Sequence, residues 1–460
     1  MPYSELINRQ RCYFATGATS PLQFRLEALR KLRQALEDQE VKLLASLYAD
    51  LRKPAHEALA SDITFVVSEI EYAIKNLRQW IKPQRRGAPR MAWPARAAIV
   101  PSPLGVALIL GTWNYPVQLL LMPLVGAIAA GNCAILKPSE MAPQTATVLA
   151  DLIRGTFDDQ HIALVTGDRE VAESLLEERF DSIFFTGSAQ AGRSVMAAAA
   201  KHLTPVTLEL GGKCPCIVCA DAPLRSTARR IIWAKMLNAG QSCVAPDFVL
   251  ADKVIAESLI AEMKLAISEF YGPDPLTSPD FGRIVNERRF DQATKYLGDG
   301  KVILGGQHDR TQLYIAPTLM TELSPASSAM NEEIFGPILP VVTFKTIEEA
   351  LSTVNARPSP LAIYFFARDR TLQDRFVSQT RSGGVCVNNA VLHMVGKRLP
   401  FGGLGESGMG RYHGKASFDN FSHQRTVVRC SPTLEVPLRY PPQRLSISRF
   451  KQALGFLLRH

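Results

Sequence analysis

Cysteine is scarce in this chain, with eight residues in 460. That is too few for a disulfide-stapled scaffold, so reduced thiols are the expected state. Unbroken apolar runs are lacking too. The longest, residues 117–136, is interrupted by Gln118, Pro123, Gly126, Gly131 and Asn132 and ends in Leu136-Lys137-Pro138. It predicts a helix followed by a buried strand, not a membrane span. The opening MPYSELINRQRCYFATG has no apolar leader core, so a soluble cytoplasmic protein is expected. There is no internal repeat and no low-complexity tract. Acidic residues are absent from 82–100, which hold Lys82, Arg85, Arg86, Arg90 and Arg96. Residues 425–460 carry seven basic side chains against the single Glu435, and these two segments outweigh the whole net charge of +9. No nucleic-acid motif accompanies them, so solvated edges are expected and nucleic-acid binding is not.

What is present is the composition of an ordinary globular protein, 47% hydrophobic and 21% charged, which excludes collagen, coiled coil and extended disorder. The length predicts about three units. Residues 20–80 read as helical, with Leu22, Leu26, Leu29 and Leu36 on one face. A Pro-, Gly- and Arg-rich break follows at 82–94. Short apolar strands then alternate with helices at 106–110, 134–136, 162–165 and 183–185. A second series runs through 216–218, 249–250, 302–304, 338–342, 363–366 and 385–387. Such alternation predicts parallel sheets flanked by helices.

Several segments carry chemistry. In Asp181-Ser-Ile-Phe-Phe-Thr-Gly187-Ser188-Ala-Gln-Ala-Gly192, a strand enters a Gly-Ser turn and a helix begins. Gly187 is expected to free the turn, Ser188 to cap the helix, and the helix start to offer N–H groups to a pyrophosphate. A plain strand–turn–helix explains the segment equally well. Gly403-Leu-Gly405-Glu-Ser-Gly408 matches G-x-G-x-x-G, but neither a strand precedes it nor an apolar helix follows, so it reads as a loop. Glu209, in Leu208-Glu209-Leu210-Gly211-Gly212-Lys213, sits in an apolar run; desolvation would raise its pKa into the range of a useful base, unless Lys213 pairs with it. Cys243, in Asn238-Ala-Gly240-Gln-Ser-Cys243, is the thiol in a polar loop and a candidate nucleophile, provided a lowered pKa or a nearby base activates it. The Cys214-Pro-Cys216-Ile-Val-Cys219 cluster reads as a strand, and no metal is expected there. Asn114, after a strand end in Gly111-Thr-Trp113-Asn114-Tyr115-Pro116, suits an oxyanion donor or simply a turn. Lys137-Pro-Ser-Glu140 and Asn331-Glu-Glu333-Ile-Phe335-Gly336-Pro337 place charged groups at further strand ends and turns.

In order, the motifs W-N-Y-P, K-P-S-E, F-T-G-S, L-E-L-G-G-K, G-Q-S-C, E-E-I-F-G-P and F-G-G-x-G-x-S-G-x-G resemble the aldehyde dehydrogenase superfamily. The stretch Ala-Ala-Ala-Lys201-His-Leu-Thr-Pro-Val-Thr-Leu-Glu209 and the run from Gly410-Arg-Tyr-His413 to Phe421-Ser-His look like its class 3 branch. The resemblance covers about residues 5–430. It implies an α/β fold with a Rossmann-like dinucleotide-binding domain (1–81 and 105–210), a catalytic domain (211–415), an oligomerisation element (82–104 and 416–443) and a basic amphipathic tail (444–460). It implies oxidation of an aldehyde to an acid with reduction of NAD(P). Cys243 would form a thiohemiacetal and then a thioester, Asn114 and the Cys243 N–H would hold the oxyanion, and Glu209 would activate the hydrolytic water. Glu333 would hold the nicotinamide ribose beside Phe335. Lys137 and Glu140 would address the adenosine ribose, and Gly187, Ser188 and Gly192 would line the pyrophosphate.

Three positions depart from the pattern: Ala189-Gln190-Ala191 after Gly-Ser, Cys214 where Ser is usual, and Glu406 in the Gly-rich loop. A carboxylate at Glu140 favours NAD, with NADP also usable. Tyr115, Leu119, Trp233, Val391, Met394 and His413, with Phe65, are expected at the substrate mouth. That mouth would be apolar and weakly charged, suited to medium-chain aliphatic or aromatic aldehydes. The resemblance places both basic segments at a homodimer interface. The tail, with Phe450, Leu454, Leu457 and Leu458 at helical spacing among Arg449, Lys451 and Arg459, is expected to pack on the body rather than lie on a membrane. Two other classes fit part of the pattern: a nucleotide-free cysteine acyl-transferase or hydrolase, which leaves Lys137, Ser188 and Glu333 without work, and a non-catalytic nucleotide binder.

Overall fold

The computed structural model describes residues 3–434 and 436–458; Glu435, Arg459 and His460, counted above in the basic tail, lie outside them. The apolar runs predicted as strands become strands and assemble into two sheets. In the first, Val206–Glu209, Ser182–Thr186, Val106–Leu110, Cys133–Lys137 and Ile162–Leu164 lie parallel in that order, and Gly408–Met409 adds an antiparallel edge beside Val206–Glu209. Because these five strands run the same way, their C-terminal ends bring Leu110, Lys137, Thr186 and Glu209 to one edge, where ligands of open α/β sheets collect.

The second sheet orders Lys301–Leu304, Thr318–Thr321, Ile338–Phe344, Phe248–Asp252, Pro215–Val218, Ala362–Phe366 and Gly384–Val387, parallel except at its first strand. Central strands such as Ala362–Phe366 are buried along their whole length, the near-continuous apolar reading that two covered faces require.

Helices Leu22–Asp38, Glu40–Leu51 and Thr64–Trp80 present Leu29, Leu36, Leu43 and Ile70 to the main core. The suspected span becomes helix Gln118–Ala130, every residue of which is buried, followed by the strand Cys133–Lys137. It is 13 residues long, and no helix among the described residues is long and apolar enough to cross a membrane.

The two basic segments meet. Gln84–Arg86, Arg96–Pro103 and Ser422–Arg429 form a separate three-stranded antiparallel sheet. The tail forms helix Ile447–Leu458, which leans on the Arg90–Ala92 turn; the Arg90 guanidinium lies 4.9 Å from the Phe456 ring centroid.

Candidate active site

Cys243 is delivered by a turn that few sequences can make. Asn238 and Ala239 both lie in the left-handed region at φ +51°, and Gly240 follows at +78°. A Cβ on Gly240 would run into the Gly336 carbonyl, so the turn demands glycine for space as well as conformation. Side chains from distant parts of the chain hold this strained turn. Asn238 Nδ2 donates to the Asn114 carbonyl at 2.8 Å and to the Gln241 carbonyl at 3.2 Å, and Gln241 Nε2 reaches the Asn238 and Arg283 carbonyls. Beneath it, Lys53 Nζ bonds Asp62 at 2.7 Å and the Asn114 carbonyl at 2.9 Å, with both ion-pair side chains fully buried. Asp62 in turn accepts the Val117 and Gln118 N–H groups. An ion pair this dry is retained only when hydrogen bonds satisfy it.

Asn114 is 2% exposed, and its Nδ2 donates to the Gln241 carbonyl at 3.1 Å. An amide nitrogen carries two hydrogens, so one donor remains for a ligand. The Cys243 thiol is pushed up to about 12, by burial first and then by the Glu333 and Glu209 carboxylates; its own amide and that of Val244 pull the other way. The thiol is therefore protonated at rest, and a neighbouring base must do what a lowered pKa does in other reactive cysteines.

Two carboxylates act on that thiol. Glu209, at the end of its strand, is 2% exposed, and neither oxygen has a hydrogen-bond partner among the described residues; burial holds it well above the usual carboxylate range. Lys213 does not pair with it, because its Nζ lies 2.5 Å from Asp247 instead. The Gly-rich loop read as a decoy passes directly alongside, Gly408 pairing with Glu209 across the sheet edge. Glu333 is anchored: its Oε1 accepts the Gly212 N–H at 3.2 Å, and burial, then Asp247, raises it to about 8. Next to it Phe335 sits at φ +48° with its ring 5.4 Å from that of Trp113.

The residues along the edge of the first sheet fit a dinucleotide. Ser188 caps helix Ala189–Ala200, its Oγ accepting from the Ala191 N–H at 3.3 Å. Gly187 has no left-handed φ; its need for glycine is space, since a Cβ would strike the Phe185 ring, and this corrects the expected conformational role. At Gly192 a Cβ would press on Leu210. Lys137 Nζ pairs with the partly exposed Glu140 at 3.0 Å. The unexpected Glu406 pairs with Arg193 of the capped helix at 3.1 Å, an exposed contact at the margin of this edge.

A cavity of about 540 Å³ is walled in part by Ser242 and Val244, the residues on either side of Cys243 in the chain. Of the expected mouth residues, Tyr115, Trp233, Val391 and Met394 line it, as does Phe65. Two placements need correction. Leu119 is buried in the first turn of the fully buried helix and lines neither this cavity nor the next. His413, at φ +75°, lies in an adjoining cavity of about 330 Å³ with its ring 5.2 Å from that of Phe401. The wall is also less neutral than expected, since Glu57 and Asp280 are part of it. Sequence reasoning did not single out Glu57, Lys53, Asp62 or Asp247 as site residues, since each acts at a distance in sequence and none carries a local pattern; Asn238 and Gln241 lay inside the Cys243 segment but were given no role there.

With this geometry in view, the comparisons are consistent. Residues 4–427 match the model of the aldehyde dehydrogenase family. Human aldehyde dehydrogenase family 3 member B1 is 45% identical over 444 residues, covering 96% of this chain and 95% of that protein. An aldehyde dehydrogenase of Craterostigma plantagineum is 45% identical, covering 95% and 92%. The solved substrate-bound AldH of Staphylococcus aureus superimposes with a TM-score of 0.95 at 40% identity, covering 98% of each chain. An indole-3-acetaldehyde dehydrogenase solved with NAD+ gives 0.84 at 25% identity, covering 93% and 88%. The chain belongs to the aldehyde dehydrogenase family and is an oxidoreductase.

Proposed function

We propose that this chain oxidises medium-chain aliphatic or aromatic aldehydes to carboxylic acids through a covalent adduct on Cys243, with NAD as the preferred dinucleotide and NADP also accepted. The observation that carries this reading is a buried thiol acted on electrostatically by one free and one anchored carboxylate, on a turn whose hydrogen bonds also hold the Asn114 amide.

The work divides by residue. Cys243 attacks the carbonyl carbon, and its proton passes to Glu209, the base in reach without another partner. The remaining Asn114 amide hydrogen and the Cys243 N–H stabilise the oxygen that gains charge. When bound, the nicotinamide supplies the two-electron acceptor that turns the thiohemiacetal into a thioester. After its first proton has exchanged with solvent, Glu209 takes another from water, and that water releases the acid. Glu333 would fix the nicotinamide ribose and Phe335 would pack beside it. Ser188, Gly187 and Gly192 would cradle the pyrophosphate. Lys137 and Glu140 would take the adenosine ribose, and the Glu140 carboxylate opposes a 2′-phosphate.

The three-stranded sheet and the segments around it, the 82–104 and 416–443 element, form the contact of a homodimer in this reading, with the tail helix Ile447–Leu458 set against the body. A panel of aldehydes assayed with each dinucleotide, followed at the reduced-nicotinamide band, tests the activity. Reduction that persists in Cys243→Ala would overturn it, and tighter binding of NADP than NAD would overturn the role given to Glu140. Sedimentation of the purified chain tests the dimer.

A further inference from the structure

The chain carries a net charge of +9, yet the wall of the 540 Å³ cavity holds two carboxylates, Glu57 and Asp280, and no lysine or arginine. The lysines close to the site are engaged elsewhere: Lys53 lies 2.7 Å from Asp62, Lys213 2.5 Å from Asp247, and Lys235 3.9 Å from Asp247. These three are thus tied to aspartates, and a further cation, Lys397, lines the adjoining cavity of about 330 Å³ and not this one. Glu57 sits on the short helix Ala55–Ala58, and its Oε1 accepts the Asn238 N–H at 2.7 Å. Its other oxygen has no hydrogen-bond partner among the described residues, and the side chain forms part of the cavity wall with Tyr115, Tyr271 and Trp233.

We propose that Glu57 is a specificity-determining residue that screens aldehydes by the charge at their far end and turns away those ending in a carboxylate or phosphate. The inference rests on the aldehyde oxidation proposed above. An apolar cavity without Glu57 would reject either sign of charge by desolvation alone. A carboxylate in the wall makes the rejection one-sided. An anionic tail meets repulsion in a poorly screened space, whereas a cationic tail meets attraction and the faces of Phe65, Tyr115, Trp233 and Tyr271. The groups that face Glu57 are His56 on its own helix, the paired Lys53 and Asp62, Tyr115 and Tyr271 on the neighbouring elements, and Asp280 across the wall. Burial lifts Glu57 to about 7, Lys53 opposing and Asp62 reinforcing, so its negative charge grows as pH rises through neutrality, and so does the discrimination.

The test uses the full chain, NAD and three aldehydes of matched length, with a methyl, a trimethylammonium and a carboxylate terminus, each assayed for kcat and KM from pH 6 to 8.5. The expected result is a ratio of neutral to anionic kcat/KM that rises about tenfold across that range, carried mainly by KM, with the cationic aldehyde close to the neutral one. Glu57→Gln keeps an oxygen for the Asn238 N–H; in it the ratio falls about tenfold at pH 8.5 and loses its pH dependence. Asp280→Asn, at an exposed position, gives a smaller change. Equal rejection of both charged tails by the wild-type chain overturns the proposal without any variant, as does an unchanged ratio in folded Glu57→Gln or a collapse of the ratio in Asp280→Asn instead. Failure to oxidise any of the three aldehydes would sink the underlying activity, a different outcome from equal rejection.

Discussion

Glu209 and Glu333 both push the same thiol up and are both buried, but they are held in opposite ways. Glu333 takes a backbone N–H from Gly212 and feels Asp247 and its lysine partners; Glu209 has no hydrogen-bond partner on either oxygen among the described residues. A buried polar group left unsatisfied is costly, and it persists where it has work to do. The contrast supports the proposed division of labour, in which the fixed carboxylate would anchor and the free one would serve as a base.

Replacing the sulfur removes the centre of the comparison and gives the largest effect. Cys243→Ala should lower kcat by about 10⁴-fold or more while the chain still binds NAD, measured by turnover and by ligand-dependent fluorescence. Glu209→Gln comes next, lowering kcat by about 10²- to 10³-fold; because the proposed base also takes the Cys243 proton, rapid mixing should show the burst of reduced nicotinamide slowed as well as the steady state. The anchor side should respond in KM instead. At Gly211 a Cβ would strike both Glu333 oxygens, so Gly211→Ala should raise the KM for NAD by about tenfold with a smaller change in kcat. If Gly211→Ala and Glu209→Gln gave the same kinetic signature, the division would be wrong.

The smallest effect concerns stability. Between the ordinary carboxylate value of 4.5 and about 8, the folded chain keeps a proton on Glu333 that the unfolded chain has lost. Stability attributable to this group is therefore full below 4.5 and is lost as pH rises through about 8. Glu333→Gln should flatten that loss, raising Tm by about 2 °C at pH 8.5 and not at pH 4.5, read by calorimetry.

Much of this was legible in the sequence. Strand Val106–Leu110 lies where its apolar run predicted, the run 162–165 stops one residue short at Leu164, and the others extend by at most two residues at either end. Most of those runs are buried on both faces, so local pattern and tertiary burial agree; Lys301–Leu304 and Gly384–Val387, at the sheet edges, are only half-buried or exposed. Cys243, Asn114, Glu209 and Glu333 stood out because glycines and strand ends surround them. The support was not legible. Lys53 meets the Asn114 carbonyl from 61 residues away, Glu57 meets Asn238 from 181, and a lysine after an arginine in a helical region gives no sign of it. Leu119 looked like a pocket residue because it is apolar and close to Asn114, but a helix buried on every face gives no periodicity from which to choose the side that meets the cavity.

The Gly240 contact has a consequence for how the molecule can change. Where the nucleophile's loop rests on the Gly336 carbonyl, two backbones touch with no side chain between them to absorb a shift. Any drift in the turn that carries Glu333 is thus felt on the loop of Cys243, so altering one loop without retuning the other would require the chain to rebuild both together.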